Sequence, residues 1–279
     1  MKRLVILLFI MMATSMDACT IFVLTDAEHA LFCNNEDWLN PKTQIWFVPA
    51  RPDRFGCAYV GFNEQWAEGG LNTKGLAFDW VNFGVLEKWS RSPQLKVVRG
   101  NASERMLETC ATVDDAIAFY KSHWEGCFLK ARVLVADRSG ASVIIYARDG
   151  ILTVEKDNQC RGFGYGKKVL AKMLAQKPEP TVASGFNILI AARQPGKYAT
   201  KYSNIYDLKS GDIYLLPHSG KDDMVKLNLG DELKKGSHLY DMPEIEAERT
   251  QPLRRPSQWK EWGKDIVMWY SNHFGTGFP

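Results

Sequence analysis

Residues 19–38 read CTIFVLTDAEHALFCNNEDW, and the fold is organised around this stretch. Two short apolar runs, 20–24 and 30–33, flank a polar turn at 26–29, and the second run ends in Asn-Asn-Glu-Asp-Trp. Apolar runs of this length on either side of a short polar turn are typical of a β-hairpin. The sequence therefore predicts an antiparallel strand pair that starts at Cys19.

The residues before Cys19 have the order of a secretory signal peptide. Lys2 and Arg3 are followed by the apolar run 4–12 and then by small and polar residues up to Ala18. This is the pattern of a signal peptide, and the run is shorter than the about 20 apolar residues that a spanning helix needs. We expect residues 1–18 to be removed, which makes Cys19 the first residue of an exported, periplasmic or secreted protein.

A cysteine after a signal peptide is also the place where bacterial lipoproteins are acylated. That processing favours a leucine three residues before the cysteine and a small residue directly before it, whereas Met16-Asp17-Ala18 precede Cys19 here. Only Ala18 fits the lipoprotein pattern. A lipid-anchored binding protein remains an alternative, and acylation would consume both the thiol and the α-amine of Cys19.

Composition narrows the class of protein. The 279 residues are 46% hydrophobic and 24% charged, with a net charge of +3, which is typical of a globular protein and indicates neither nucleic acid nor an anionic membrane as a partner. Residues 19–279 fit one large domain. The 6 cysteines include no CxxC pair, and no HExxH motif occurs, so we expect no metal and no cofactor.

Hairpins dominate the rest of the chain, which predicts an α+β fold with antiparallel sheets and helices grouped on their outer faces. The turn Asn72-Thr-Lys-Gly75 joins two further runs, with glycine available for a positive φ. Predicted strands cover 44–49, 55–61, 132–136, 142–147, 151–155, 201–208, 212–216 and 224–229. Predicted helices cover 103–123 in two parts, 167–176, 182–193 and a short tail helix near 259–269. Ser103 can cap the first part of 103–123, and Thr112 can cap the second, with Asp115 three residues on in capping-box order.

Cys19 would carry its own base if its α-amine were free. A cysteine thiol has a pKa of about 8.5 and an α-amino group one of about 7.7–8.0, so the two groups are matched for proton transfer near neutral pH. The amine can take the thiol proton, the thiolate can attack a carbonyl, and the ammonium can return the proton to a leaving nitrogen. Such a site also needs an oxyanion donor and a group that orients the amine.

Four spaced motifs resemble the choloylglycine hydrolase and penicillin V acylase family, whose members are N-terminal-nucleophile hydrolases of linear amides. The motifs are Cys19-Thr20, Asn35-Glu-Asp37-Trp38, GLNTKGL at 70–76 leading into Val81-Asn82-Phe83, and TKYSNIYDL at 200–208. The resemblance spans roughly residues 19–240 and implies an αββα sandwich, in which two antiparallel sheets lie between helical layers.

The resemblance also implies roles for individual residues. Cys19 is then the nucleophile, Asp37 holds its amine, and Asn82 donates to the oxyanion, while a further family asparagine falls near Asn158. Taken singly, Asp37 and Asn82 would read as residues that end a strand. The implied substrate is a small amide, and an apolar acyl group would suit the tryptophan-rich portion that contains Trp38, Trp66 and Trp80.

The chain departs from the family at the positions of two arginines. Asn34 stands where many relatives have an arginine, and Arg161 is the nearest residue to the place of the second. Arginines lower a thiol pKa and guide anionic substrates, so their absence argues against bile salts as substrates. Acyl transfer by the same fold and a non-catalytic binding protein are the open alternatives, and the sequence leaves the oligomeric state open.

Overall fold

The computed structural model describes residues 19–84, 86–218, 224–247 and 251–252. The predicted signal peptide at 1–18 and the predicted tail helix near 259–269 lie outside these residues. The strands are β1 (Thr20–Thr25), β2 (Ala30–Asp37), β3 (Thr43–Val48), β4 (Cys57–Phe62), β5 (Ala67–Asn72), β6 (Ala77–Asn82), β7 (Lys96–Val97), β8 (His123–Trp124), β9 (Ala131–Ala136), β10 (Ser142–Arg148), β11 (Ile151–Asp157), β12 (Arg161–Gly164), β13 (Thr200–Asp207), β14 (Asp212–Pro217), β15 (Val225–Asn228), β16 (His238–Asp241) and β17 (Gln251–Pro252).

The helices are α1 (Ala102–Thr109), α2 (Val113–Ser122), α3 (Lys167–Leu174), α4 (Val182–Ala191) and α5 (Leu229–Lys234), with short 3-10 turns at Gly126–Leu129 and Met242–Ala247. The capping box predicted for α2 is confirmed, because Thr112 accepts from Asp115 N and the Asp115 side chain accepts from Thr112 N. The predicted cap of the preceding helix was wrong. Asn101, not Ser103, accepts from the first free N–H groups of α1.

Two large antiparallel sheets form the centre of the molecule. The 6-stranded sheet has the order β12-β1-β2-β13-β14-β15, and the 9-stranded sheet has the order β11-β10-β9-β6-β5-β4-β3-β16-β17. The predicted opening hairpin is confirmed, since β1 and β2 pair in antiparallel register along their whole length. The turn at 72–75 is also confirmed: Asn72 Oδ1 accepts from Lys74 N and Leu76 N, and Gly75 has a φ of 76°.

Three groups of buried apolar side chains define four layers. One group lies between the sheets and includes Phe32, Ile45 and Ala77. A second joins the 9-stranded sheet to α1 and α2, and a third joins the 6-stranded sheet to α3 and α4. Each sheet thus buries one face against the other sheet and the opposite face against helices. The predicted αββα sandwich is confirmed.

All 6 cysteines are free thiols, and Cys160 is the one that is not fully buried. Cys19 stands directly before β1, next to the end of β12, because Thr20 pairs with Gly164 and Tyr165 N donates to Cys19 O at 2.7 Å. The position of Cys19 therefore depends on close contact between β1 and β12.

Gly164→Ala is expected to destabilise the protein and displace Cys19. Gly164 has a φ of 128°, and a Cβ there would collide with Cys19 O. Gly196→Ala is the matched control, since Gly196 also has a positive φ, of 84°, but nothing lies within 4 Å of its added Cβ. Urea denaturation should show a further loss of about 1–3 kcal/mol for Gly164→Ala over the control, the usual cost of overpacking. Equal losses would contradict this.

Candidate active site

The two ends of the opening hairpin meet at one edge of the 6-stranded sheet. Pairing of Thr20 with Asn35 brings Cys19 beside Asp37, the last residue of β2. Cys19 N donates to Asp37 Oδ2 at 2.9 Å. In the full-length chain this nitrogen belongs to a peptide bond, and removal of the preceding residues would turn it into an ammonium at the same carboxylate. Antiparallel pairing thus brings together two of the predicted site residues.

The neighbouring strand β13 fixes the orientation of Asp37. Thr200 Oγ1 donates to Asp37 Oδ1 at 2.5 Å and accepts from Gln194 N at 2.9 Å. A register shift in the pairing of β13 with β2 falls between Thr200 and Tyr202. Burial raises the pKa of the Asp37 carboxyl to about 7, while hydrogen bonds from Thr200 and Cys19 N and the charge of Lys201 act to lower it. Sequence reasoning assigned no role to Thr200 or Lys201.

A second carboxyl group, that of Glu36, contacts the thiol. Cys19 Sγ donates to Glu36 Oε1 at 3.2 Å. Asn34 Nδ2 and Tyr202 OH each lie 3.4 Å from Glu36 Oε2. Burial raises the pKa of Glu36 to about 8. Burial also raises the pKa of the Cys19 thiol well above its usual value, and the nearby carboxyls of Glu36 and Asp37 raise it further.

Sequence reasoning missed Glu36, although β2 carries a signal for it. Successive side chains of a strand alternate between its faces, so Glu36 and Asn34 share the face of Phe32. Phe32 packs between the sheets, and Asn34 and Glu36 are buried there too. Burying a polar side chain without a hydrogen-bond partner costs free energy. Two polar residues at inward-facing positions of this strand therefore indicate a functional site.

Neither Asn34 nor Arg161 supplies the positive charge beside Cys19 that the resemblance implies. Asn34 is fully buried, and its Nδ2 lies 3.4 Å from both Glu36 Oε2 and Asn204 Oδ1. Arg161 pairs with Val23, well along β1 from Cys19, and its guanidinium donates to Glu155 O at 2.9 Å. Arg161 therefore does not take the place of an arginine beside the thiol.

The structure brings Asn82, for which the resemblance implies the oxyanion role, to the cleft beside Cys19. It ends β6 and lines the same cleft as Cys19. Gly84 N donates to Asn82 Oδ1 at 2.8 Å, so the amide offers its NH₂ group as a donor. The position of Asn82 depends on β6, which belongs to the other sheet, so its place beside the cleft of Cys19 could not be read from local sequence.

Asn158 does not join the other three predicted residues. It lies exposed in the turn between β11 and β12, where its own N–H donates to Asp157 Oδ1. Two residues further on, Cys160 contacts Thr25 at the far end of β1 from Cys19. A strand rises about 3.3 Å per residue, so the length of β1 separates Cys19 from the turn that holds Asn158. The structure therefore places Asn158 away from the cleft at Cys19, because the register of β12 sets the position of its turn.

A cleft of ≈ 480 Å³, including the space open to solvent at its mouth, adjoins Cys19. Its walls include the rings of Trp38, Phe62 and Trp80, together with Cys127 and Glu68. Trp80 is fixed from behind, since its Nε1 donates to Ser103 Oγ at 3.2 Å. The sequence analysis placed Trp66 with Trp38 and Trp80 as a candidate for contact with an acyl group. Trp66 packs in the core between the 9-stranded sheet and its helices.

Within the residues described, no helix is both long and apolar enough to cross a bilayer. The same part of the chain holds no group of 3 or more histidine, cysteine or acidic side chains suited to a metal ion.

Solved structures with the same architecture exist. Penicillin V acylase from Agrobacterium tumefaciens superimposes with a TM-score of 0.65 at 14% identity, covering 85% of this chain and 98% of that one. A conjugated bile acid hydrolase variant from Clostridium perfringens gives a TM-score of 0.64 at 13% identity, with coverages of 85% and 97%. The chain has the fold of these enzymes. At such identities the likeness concerns the fold alone, and it confirms the fold that the motifs implied.

A more distant likeness adds a third enzyme of this architecture. An N-acylethanolamine-hydrolyzing acid amidase ortholog from Caenorhabditis elegans gives a TM-score of 0.51 at 11% identity, covering 69% of this chain and 93% of that one. No protein-family model and no curated protein matches the sequence.

Glu36 is expected to make stability depend on pH. Its pKa rises from 4.5 to about 8 on folding, so between these values the native state holds a proton that the unfolded chain has released. The free energy of unfolding then falls as pH rises through this window, by about 1.4 kcal/mol for each pKa unit at most. Urea denaturation of Glu36→Gln from pH 4.5 to 8 should show a flatter slope than the wild type. Glu28→Gln, at an exposed position, should keep the wild-type slope; equal slopes for all three proteins would refute the assignment.

Proposed function

We propose that this protein is an exported hydrolase of linear amide C–N bonds that uses Cys19 as an N-terminal nucleophile. The observation that carries the proposal is the contact of Cys19 N with Asp37 Oδ2 at 2.9 Å, at the mouth of a cleft that Asn82 also lines. A free amine here would be oriented by a buried carboxylate, directly beside the thiol that it serves. The shared fold with penicillin V acylase and conjugated bile acid hydrolase supports the same reaction class.

The reaction proceeds through a thioester. The Cys19 sulfur attacks the amide carbonyl, the NH₂ of Asn82 donates to the oxyanion, and the amine product leaves after protonation of its nitrogen. Water then attacks the thioester and releases the acid. The thiol proton has two acceptors within reach: the α-amine of Cys19, and Glu36 Oε1 at 3.2 Å.

The substrate we propose is a small amide with an apolar acyl group. The rings of Trp38, Phe62 and Trp80 offer apolar walls beside Cys19. Aromatic side chains of this size supply much of the contact area in apolar ligand sites. An acyl chain lying against these rings would leave its carbonyl at the sulfur.

Mature protein purified after export is expected to begin with an unmodified Cys19. Intact-mass measurement would show a chain that has lost residues 1–18, because the mechanism needs a free α-amine. A diacylglyceryl mass would support the lipid anchor instead, and a retained Met1 would rule out the mechanism.

The mature protein is expected to release fluorescent amine from octanoyl or phenylacetyl amides of aminomethylcoumarin. Asn82→Ala should lower kcat by about 10²–10³-fold, the usual effect of losing one oxyanion donor. Cys19→Ala should abolish turnover. Asn158→Ala should retain the wild-type rate, since Asn158 is exposed in a turn that does not line the cleft. Full activity of Cys19→Ala would sink the proposed function, and added amine acceptors that yield new amides would point to acyl transfer.

A further inference from the structure

A buried acidic layer lies directly beneath Cys19, between the two sheets. Glu36 of β2 and Asp79 of β6 are 5% and 0% exposed, and the charge of Glu36 is close enough to raise the pKa of Asp79. Tyr202 of β13 completes the group, with its OH 3.4 Å from Glu36 Oε2. Burying a carboxyl group costs free energy unless the group is hydrogen-bonded. A buried carboxyl beside the thiol therefore indicates a functional role.

The two oxygens of Glu36 have different surroundings. Oε2 lies 3.4 Å from both Asn34 Nδ2 and Tyr202 OH, which are donors. Oε1 faces the sulfur of Cys19 at 3.2 Å, and the thiol donates to it. The donors on Oε2 hold the carboxyl in one orientation, so that Oε1 stays on the reacting atom.

The α-amine of Cys19 is poorly placed to accept a proton once it is free. Its nitrogen lies 2.9 Å from Asp37 Oδ2. Burial raises the pKa of Asp37 to about 7, but an ammonium at this distance favours the charged carboxylate. A carboxylate at this distance favours the charged ammonium over the neutral amine. The ammonium can give a proton but cannot take one, so the thiol proton needs another acceptor.

We propose that Glu36 is a catalytic residue that takes the thiol proton of Cys19, while the ammonium held by Asp37 protonates the departing nitrogen. This inference rests on the proposed function, since it divides the proton transfers of that reaction between two groups. It also accounts for Asn34 at the position where many relatives have an arginine. Because a base contacts the thiol, the sulfur can attack without a positive charge that stabilises the thiolate beforehand.

The proton transfers balance over one cycle. Glu36 acts in its ionised form, which prevails above a pH of about 8, so turnover should rise through this pH. The S–H proton then moves to the Glu36 carboxylate as sulfur bonds to the carbonyl carbon. The C–N bond breaks as the Cys19 ammonium gives a proton to nitrogen, which leaves a thioester, a neutral amine and a protonated Glu36. Water then attacks the thioester and gives a proton to the amine. The thiolate leaves and recovers its proton from Glu36, which restores the starting state.

Glu36→Gln separates this role from a purely electrostatic one. Glutamine fills nearly the same space but cannot accept the thiol proton, so turnover of the octanoyl coumarin amide should fall by about 10²–10⁴-fold. The thiol should nevertheless become easier to ionise, because a negative charge beside it is removed. The pH midpoint for alkylation of Cys19 by iodoacetamide, read by peptide mass, should move down by about one pH unit.

Two further variants make the comparison specific. Glu36→Asp retains a carboxyl group at a greater distance and should recover part of the turnover. Asp79→Asn removes a carboxyl from the same buried layer, where Asp79 Oδ1 accepts from Trp80 N and does not contact the sulfur. Because its carboxyl bonds the backbone and not the thiol, Asp79→Asn should keep most of the turnover. Thermal melting checks that each variant is folded.

The outcomes are distinct. Lower turnover with easier alkylation in Glu36→Gln supports the proposal. Unchanged or higher turnover overturns it, since Glu36 would then only hold the thiol protonated, and an unchanged alkylation midpoint overturns it because the contact would be absent in solution. If the wild-type protein cleaves none of the probes, the proposed function fails, and the alkylation midpoint alone then tests the contact of Glu36 with the thiol.

Discussion

The antiparallel pairing of β1 with β2 is the constraint on which the site depends. It brings the Cys19 nitrogen to 2.9 Å from Asp37 Oδ2, although 18 positions separate the two residues along the chain. The pair is central in its sheet, with β12 on one side and β13 on the other. Strand β12 comes close to Cys19 at Gly164, and β13 supplies the Thr200 hydroxyl that donates to Asp37. A shift in either pairing would separate the groups.

Burial sets the electrostatics of the site. The thiol of Cys19 and the carboxyls of Glu36 and Asp37 lie in an interior that disfavours charge, and burial is the largest cause of the raised pKa of each. Such a set of groups exchanges protons among its members more readily than it holds separated charges. Asn34, at the position where the resemblance implies an arginine, orients a carboxyl instead of adding a positive charge.

Much of the fold was accessible from local patterns. Apolar runs interrupted by turn residues located most strands of both sheets, and the capping box at Thr112 located α2, because these signals lie within a few residues of one another. The start of α1 was misjudged because Asn101 and Ser103 are both good caps, and only the path of the chain decides between them. The position of Asn158 away from the cleft could not be read locally for a related reason, since the register of β12 is a long-range property.

By itself the sequence determined the opening hairpin and most strands of two antiparallel sheets, since these follow from apolar runs and turn residues that lie close together. The αββα architecture and the roles proposed for Cys19 and Asp37 were implied by the resemblance that four spaced motifs carry. The tertiary structure alone decided which other groups reach the sulfur. Glu36 reads in sequence as one more polar residue at a strand end, and Asp79 and Tyr202 belong to distant strands. They meet because two sheets close over one another, and the cost of burying polar groups then decides which contacts persist.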